Sequence, residues 1–94
     1  MKEFKIKQYL AIEEILITED PVKLIKIGAP LDEYSSEAAL IFYQISKIDK
    51  TYSVKKIHNI IYDIFLECFG SEEIIGKFDD YKEIAVKIEN VFNG

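Results

Sequence analysis

The segment DPVKLIKIGAPLDEYSSE, residues 20–37, interrupts a chain that is otherwise patterned as amphipathic helix. It contains both prolines of the protein, Pro21 and Pro30, and one of its four glycines, Gly28. Proline and glycine favour the places where helices begin and end. The segment therefore predicts a defined connection between a first helix and the rest of the domain.

Within this segment, Asp20 favours a new helical start. Aspartate is a good N-cap, and the proline that follows it suits the first position of a helix. These residues predict a short helix or single turn over residues 21–26, which Gly28 closes in the left-handed conformation. Of the apolar residues there, Leu24, Ile25 and Ile27 are expected to point inward.

After that turn, Pro30 restricts the preceding residue to an extended conformation. We therefore expect an ordered loop over residues 29–34. Ser35 is then expected to cap the next helix, because its hydroxyl can accept from N–H groups in the first helical turn.

Apolar residues recur every three or four positions on both sides of the segment, as in helices with one buried face. The predicted helices cover residues 4–18, 36–48, 54–69 and 80–92, with one further turn over residues 71–75. Ser53 is expected to cap the third helix and Gly70 to end it. Asp80 is expected to cap the last helix, because Asp80 and Glu83 have the spacing of a capping box.

Four amphipathic helices with short connections are typical of a helical bundle. The sequence predicts one all-α domain over residues 1–94, a compact antiparallel bundle of four main helices with a short extra turn after the first. Phe42, Phe65 and Phe92 are expected in its core. Four tyrosines lie off the apolar stripes and are expected to cover the edge of the core or to contact a partner: Tyr34, Tyr43, Tyr52 and Tyr81.

Charge and composition limit the classes of partner. Twelve basic against seventeen acidic residues give a net charge of −5. Nucleic-acid binding needs a basic face, so an acidic domain is better suited to a basic protein partner. No apolar run approaches the roughly 20 residues that span a bilayer, and the amino terminus lacks the pattern of a secretory signal. We therefore expect a cytoplasmic protein that binds neither nucleic acid nor membrane.

No catalytic constellation is evident. His58, the single histidine, lies beside an apolar stripe without a carboxylate to orient it, and we expect it at the edge of the core or on the surface. Cys68, the single cysteine, lies on an apolar stripe and is expected in the core. Metalloprotease, calcium-loop, phosphate-loop and nucleophile-elbow motifs do not occur. The sequence therefore predicts no enzyme, no cofactor and no metal.

Carboxylates and a tyrosine are concentrated after Pro30. Asp32, Glu33 and Glu37 are expected to pair with lysine or arginine of a partner, and Tyr34 to pack as the anchor. Two alternatives stay open. The same residues can serve only the fold, with Asp32 holding its own loop and Glu37 facing the helix dipole. Together with Asp20, the three carboxylates Asp32, Glu33 and Glu37 can also form an oxygen-rich site for Mg²⁺ or Ca²⁺.

The pattern Asp-Pro, Gly-Ala-Pro-x-Asp-Glu-Tyr-x-x-Glu within residues 20–37 resembles the YugE-like family of small bacterial proteins. Glu19 and Ser35 stand where that family usually has Trp and Asp. The resemblance implies a compact α-helical domain of no assigned activity. Similar short acidic proteins include some that look like immunity proteins encoded beside secreted toxins, which is an analogy.

These observations predict a non-enzymatic protein-binding domain. In its most concrete form it is an immunity protein that neutralises a cognate bacterial toxin through an acidic, tyrosine-containing surface. The alternative is a small structural or regulatory module in which residues 20–37 only shape the fold. An exposed apolar stripe on so small a bundle can also support a homodimer.

Overall fold

The computed structural model describes residues 3–29, 31–48 and 53–93, without the side chains of residues 3–5 and 31–32. Within these ranges, the helical periodicity of the sequence corresponds to five α-helices. The helices are α1 (Glu3–Glu19), α2 (Ser35–Ser46), α3 (Val54–Phe69), α4 (Glu72–Ile75) and α5 (Lys82–Asn93). Two 3₁₀ helices, Leu31–Tyr34 and Phe78–Tyr81, lead directly into α2 and α5. The described ranges contain no strand, so the all-α prediction is confirmed.

The four long helices form a ring of neighbours. Both α1 and α3 pack against α2 and α5. The start of α2 lies beside the end of α3, where Glu37 meets Cys68, so these two helices run antiparallel. This arrangement confirms the predicted bundle. Its interior is filled by fully buried apolar side chains, among them Ile12, Leu16, Ile41, Ile45, Ile57, Ile61, Phe65, Ala85 and Ile88.

Two of the three predicted core phenylalanines lie at the margin of the core. Phe42 and Phe92 are partly buried against it, and their rings stack with centroids 6.3 Å apart. Tyr81, which the sequence placed at an edge or on a surface, is fully buried, whereas Tyr43 is exposed.

The ends of α3 follow the prediction. The hydroxyl of Ser53 accepts a hydrogen bond from the backbone N–H of Lys56 at 3.2 Å, and Gly70 ends the helix with φ of 90°. The predicted N-caps of the second and last long helices are wrong. Ser35 caps nothing because the 3₁₀ helix Leu31–Tyr34 runs straight into α2, which places Ser35 inside the helix. Residues 31–34 therefore form a 3₁₀ helix, where the sequence predicts an ordered loop.

The final helix also begins earlier than predicted. Asp80 does not cap it from outside; its carboxylate accepts the backbone N–H of Lys77 at 2.9 Å, one turn back. The helical path therefore starts with the 3₁₀ helix Phe78–Tyr81.

Pro30 and the connection over residues 49–52, which includes Tyr52, lie outside the described residues. Among the helices described, none has the length and apolarity that a membrane span requires.

Candidate functional site

The connection from α1 to α2 is organised by the carboxylate of Asp20. The backbone N–H of Asp20 donates to the carbonyl of Leu16 at 2.8 Å, and its φ of 46° ends α1 in the left-handed region, which aspartate tolerates better than most residues. Its side chain accepts the N–H groups of Ile25 at 3.0 Å and Lys26 at 2.9 Å. Of the two predicted forms of residues 21–26, a short helix or a single turn, the helix does not form: residues 21–28 form turns, because the carboxylate binds these N–H groups without helical structure.

Tyr34 completes this network from the far end of the connection. Its hydroxyl donates to Asp20 Oδ1 at 2.7 Å and accepts the N–H of Val22 at 3.1 Å. The side chain is fully buried, and its ring lies 6.1 Å from that of Phe65 on α3. The expectation that Tyr34 anchors a partner is therefore corrected, because a partner cannot reach it in this fold.

Burial and hydrogen bonding shift the two groups in opposite directions. Desolvation raises the pKa of Tyr34, and the adjacent Asp20 carboxylate raises it further. Desolvation also acts to raise the pKa of Asp20, but the hydrogen bonds from Ile25, Tyr34 and Lys26 outweigh it, so the pKa of Asp20 is lowered. The pair is therefore a neutral phenol bound to an ionised carboxylate at neutral pH.

Gly28 closes the turn, as predicted, with φ of 94°. Its N–H donates to the carbonyl of Ile25, and the N–H of Ala29 donates to the carbonyl of Leu24, both at 3.0 Å. These two bonds have the pattern of a Schellman motif, which needs a left-handed residue at the position of Gly28. Leu24 and Ile25 pack against the core, but Ile27 is 77% exposed, so its predicted inward orientation is wrong.

The predicted contact residues divide between surface and interior. Glu33 is exposed on the first 3₁₀ helix, and the side chain of Asp32 lies outside the described residues. Glu37 is only 7% exposed, because the first turn of α2 faces the end of α3. The structure therefore does not bring Glu33, Tyr34 and Glu37 together on one open surface.

Glu37 lies beside Cys68. Cys68 is exposed, so its predicted position in the core is wrong. Desolvation raises the pKa of Glu37 and the charge of Glu33 adds to this, while its own backbone N–H and the Cys68 thiol offset only part. Desolvation of the sulfur and the charge of Glu37 raise the pKa of Cys68. Across the described residues, Oε1 of Glu37 finds no hydrogen-bond partner.

The connection between α3 and α5 is held by ring side chains on its backbone carbonyls. The hydroxyl of Tyr81 donates to the carbonyl of Ile75 at 2.6 Å, and that of Tyr62 donates to the carbonyl of Gly76 at 3.2 Å. Nε2 of His58 lies 2.6 Å from the carbonyl oxygen of Phe78. The His58 ring also stacks on that of Phe78, with centroids 3.7 Å apart. His58 is buried, contrary to the expectation of an edge or surface position, and its described contacts are structural.

A cleft of about 510 Å³ separates the two connections. It is lined by Glu19, Pro21, Lys23, Glu73, Ile74, Ile75, Gly76, Asp80, Tyr81 and Ile84, and we call it the acidic cleft. Three of these residues carry carboxylates and one is a lysine. Ile74 is 55% exposed at its margin, beside Glu73.

The carboxylates of the acidic cleft differ in what they already bind. Glu19 forms an ion pair of 2.5 Å with Lys87, and Asp80 accepts the N–H of Lys77. Glu73 forms no ion pair with any described residue. It is therefore the carboxylate most available to an incoming cation.

Sequence reasoning missed the acidic cleft because its walls come from residues 19–23 and 73–84, which are distant in the chain. A signal was nonetheless present. Residues 72–80, EEIIGKFDD, contain four carboxylates and three large apolar side chains. Pro21, expected at a helix start, contributes to the wall of this cleft instead.

The described residues offer no group of three histidine, cysteine or acidic side chains suited to a metal ion.

Comparison of the chain with known protein families, with curated proteins and with solved structures finds no match.

Proposed function

We propose that this chain is a non-enzymatic protein-binding domain that recognises a basic partner at the acidic cleft. The observation that supports the proposal is the composition of the cleft, whose lining combines three carboxylates with apolar side chains, among them the exposed Ile74 beside Glu73. Specific interfaces combine apolar contact at the centre with polar groups at the rim. Such a cleft fits the stem and the charged head of a lysine or arginine side chain.

The charge of the whole chain supports the same class of partner. A net charge of −5 accelerates the approach of a basic protein and opposes that of an acidic one. A second copy of this chain would bring like charges together at the acidic cleft. A heterologous basic partner is therefore favoured over a homodimer at this face.

In its most concrete form, the proposed domain is an immunity protein that neutralises a bacterial toxin with a basic surface. The resemblance of residues 20–37 to YugE-like proteins is compatible with this role by analogy. The acidic surface in this proposal lies on the acidic cleft and on Glu33. Asp32, whose side chain is not described, remains a proposed contributor beside Glu33.

Affinity purification from the native cell, followed by mass spectrometry, tests the proposal. We expect one basic protein at near-equal stoichiometry. The double variant Glu72→Gln with Glu73→Gln should lose it, whereas Glu13→Gln with Glu14→Gln on α1 should retain it. Both variants remove two adjacent charges, so the comparison separates the surface from the net charge. Recovery of the wild-type protein alone would contradict the proposal.

A second candidate, a structural or regulatory module, is favoured by one observation. The described hydrogen bonds of Asp20 and Tyr34 are all internal, so this part of residues 20–37 shapes the connection. Under this candidate, substitutions at Asp20 and Tyr34 lower the melting temperature, and substitutions in the acidic cleft change no interaction in the cell.

A further inference from the structure

Helix α1 carries apolar side chains on two opposite faces. Ile12 and Leu16 lie inside the bundle and are fully buried, whereas Ile6 and Leu10 are 42% and 50% exposed. Ile6 and Leu10 are four residues apart, so they lie one above the other on the outer face of the helix. A helix that is apolar on all sides is ordinarily covered on all sides. The outer face of α1 is therefore suited to contact with another protein surface.

Two opposite charges border this exposed apolar pair. Lys7 and Glu14 are both exposed, and they are separated by about two helical turns, so they lie along the same edge of the helix. Leu10 lies between them along the helix axis. We call Ile6, Lys7, Leu10 and Glu14 the α1 face. It is basic towards the start of the helix and acidic towards its end.

This order of charges complements itself when α1 meets a second copy in the opposite direction. A two-fold axis beside Leu10 places the start of one helix against the end of the other and keeps the same edge of both helices together. Lys7 of each copy then faces Glu14 of the other, and the two Leu10 side chains pack together. A parallel pair would instead place like charges at the same height. In coiled coils, charges beside an apolar seam select the orientation in this way.

We propose that the α1 face joins two copies of this chain in an antiparallel homodimer. The acidic cleft begins at Glu19 and lies outside this face, so the dimer does not depend on the proposed function. Helix α3 packs against α2 and α5 on the opposite side of the ring and therefore faces away from the contact. Two short helical faces bury a small area, so we expect a weak dimer with a dissociation constant on the order of 50 µM.

Sedimentation velocity of the purified chain, between about 5 and about 500 µM, tests the proposal. We expect a transition from monomer to dimer across this range. Leu10→Glu should raise the dissociation constant about tenfold or more, because it places a charge at the centre of the contact. Leu66→Glu is the matched control, because Leu66 is an exposed leucine on α3, and it should leave the dissociation constant unchanged. A wild-type chain that stays monomeric throughout, or equal effects of the two variants, would overturn the proposal.

Exchange of the two charges tests the orientation. Lys7→Glu and Glu14→Lys each turn two attractive pairs into two repulsive ones, so each should raise the dissociation constant about fivefold or more. The double variant, Lys7→Glu with Glu14→Lys, has the net charge of the wild type and restores both pairs. It should therefore dimerise as the wild type does. An equimolar mixture of the two single variants should form a heterodimer for the same reason.

These variants also separate the contact from the net charge of the chain. Glu14→Lys makes this acidic chain less negative, so general repulsion alone predicts a stronger dimer, whereas the α1 face predicts a weaker one. A stronger dimer of Glu14→Lys, or a double variant as weak as the single ones, would contradict the antiparallel contact. Far-ultraviolet circular dichroism checks that each variant keeps its helices. Sedimentation uses the purified chain alone, so it can fail while the affinity purification succeeds, or the reverse.

Discussion

The hydroxyl of Tyr34 donates a 2.7 Å hydrogen bond to the carboxylate of Asp20, across the connection between α1 and α2. Tyr34 is fully buried against α3, so this bond fixes the end of α1 to the interior of the bundle. The same carboxylate holds the N–H groups of Ile25 and Lys26. One buried ring thus orders the turns that form one wall of the acidic cleft.

Loss of this hydroxyl should destabilise the whole domain. Tyr34→Phe removes the bond to Asp20 and leaves the N–H of Val22 without its acceptor. We expect the free energy of unfolding to fall by about 1–3 kcal/mol, as for other partly buried hydrogen bonds. Urea denaturation measures the change. Tyr43→Phe is the control, because Tyr43 is 56% exposed, and it should change stability by less than about 0.5 kcal/mol. Equal effects of the two variants would contradict the role of the network.

Glu37 should make the domain less stable as pH rises. Its pKa is raised above the ordinary value of 4.5 in the folded state, so the folded chain binds its proton more tightly than the unfolded chain does. The resulting stabilisation is complete below pH 4.5 and is lost as pH rises through the folded pKa. The groups that face Glu37 in the described structure are Glu33 and Cys68, and neither supplies a positive charge near neutral pH.

Glu37→Gln should therefore stabilise the protein at pH 7 by about 1 kcal/mol or more. The gain should shrink as the solution is acidified towards the ordinary pKa of glutamate. Chemical denaturation of both proteins between pH 4 and pH 8 measures the difference. Glu14→Gln, an exposed change of the same charge, should show no such trend. A gain that is constant with pH would show that titration of Glu37 is not its cause.

Asp20 should have the opposite pH dependence. Its pKa is lowered below the ordinary value of 3.8, so its contribution to stability is present above pH 3.8 and is lost as pH falls through the folded pKa. Asp20→Asn should destabilise the protein at neutral pH, and the difference from wild type should narrow in strong acid. Acid titration of both proteins, followed by circular dichroism, checks this. A difference that widens in acid would contradict the assignment.

The two connections should differ in their tolerance of a methyl group. A Cβ at Gly76 would lie 2.9 Å from Asp80 Oδ2, and Gly76 has φ of 91° with ψ of −171°, which is essentially restricted to glycine. A Cβ at Gly28 meets nothing within 4 Å, so only its φ of 94° opposes alanine. We expect Gly76→Ala to lower stability by about 2–3 kcal/mol and Gly28→Ala by about 1 kcal/mol. Thermal unfolding compares the two, and the reverse order would contradict the clash with Asp80.

The sequence predicted local features of this fold better than distant ones. The bounds of α3, its Ser53 cap and the left-handed Gly28 depend on neighbours within one or two turns, so periodicity and residue type identify them. Asp20 was assigned to the wrong helix because aspartate can end one helix as well as begin another. The choice is decided by Tyr34, fourteen residues away.

Burial was the harder property to predict at the candidate site. Tyr34 and Glu37 lie in a polar stretch, and nothing near them in sequence indicates that the rings and thiol of α3 cover them. Ile27 is apolar yet exposed, because the turn at Gly28 directs it outward. The acidic cleft requires two connections to meet, which no local pattern reveals.

Association kinetics should show which acidic surface meets the partner. Glu72→Gln with Glu73→Gln alters Glu73 of the acidic cleft and its neighbour in α4. Asp32→Asn with Glu33→Gln alters the 3₁₀ helix before α2, and Glu13→Gln with Glu14→Gln alters α1. Each pair removes two charges, so the loss of long-range attraction is similar in all three. A pair that contacts the partner should in addition raise the dissociation rate, because its charges make short-range contacts within the complex. Surface plasmon resonance with the purified partner, between 50 and 300 mM salt, measures both rates.

We expect the cleft pair to raise the dissociation rate about tenfold and the α1 pair to leave it unchanged. Equal effects of all three pairs would mean that net charge, and not the acidic cleft, governs binding.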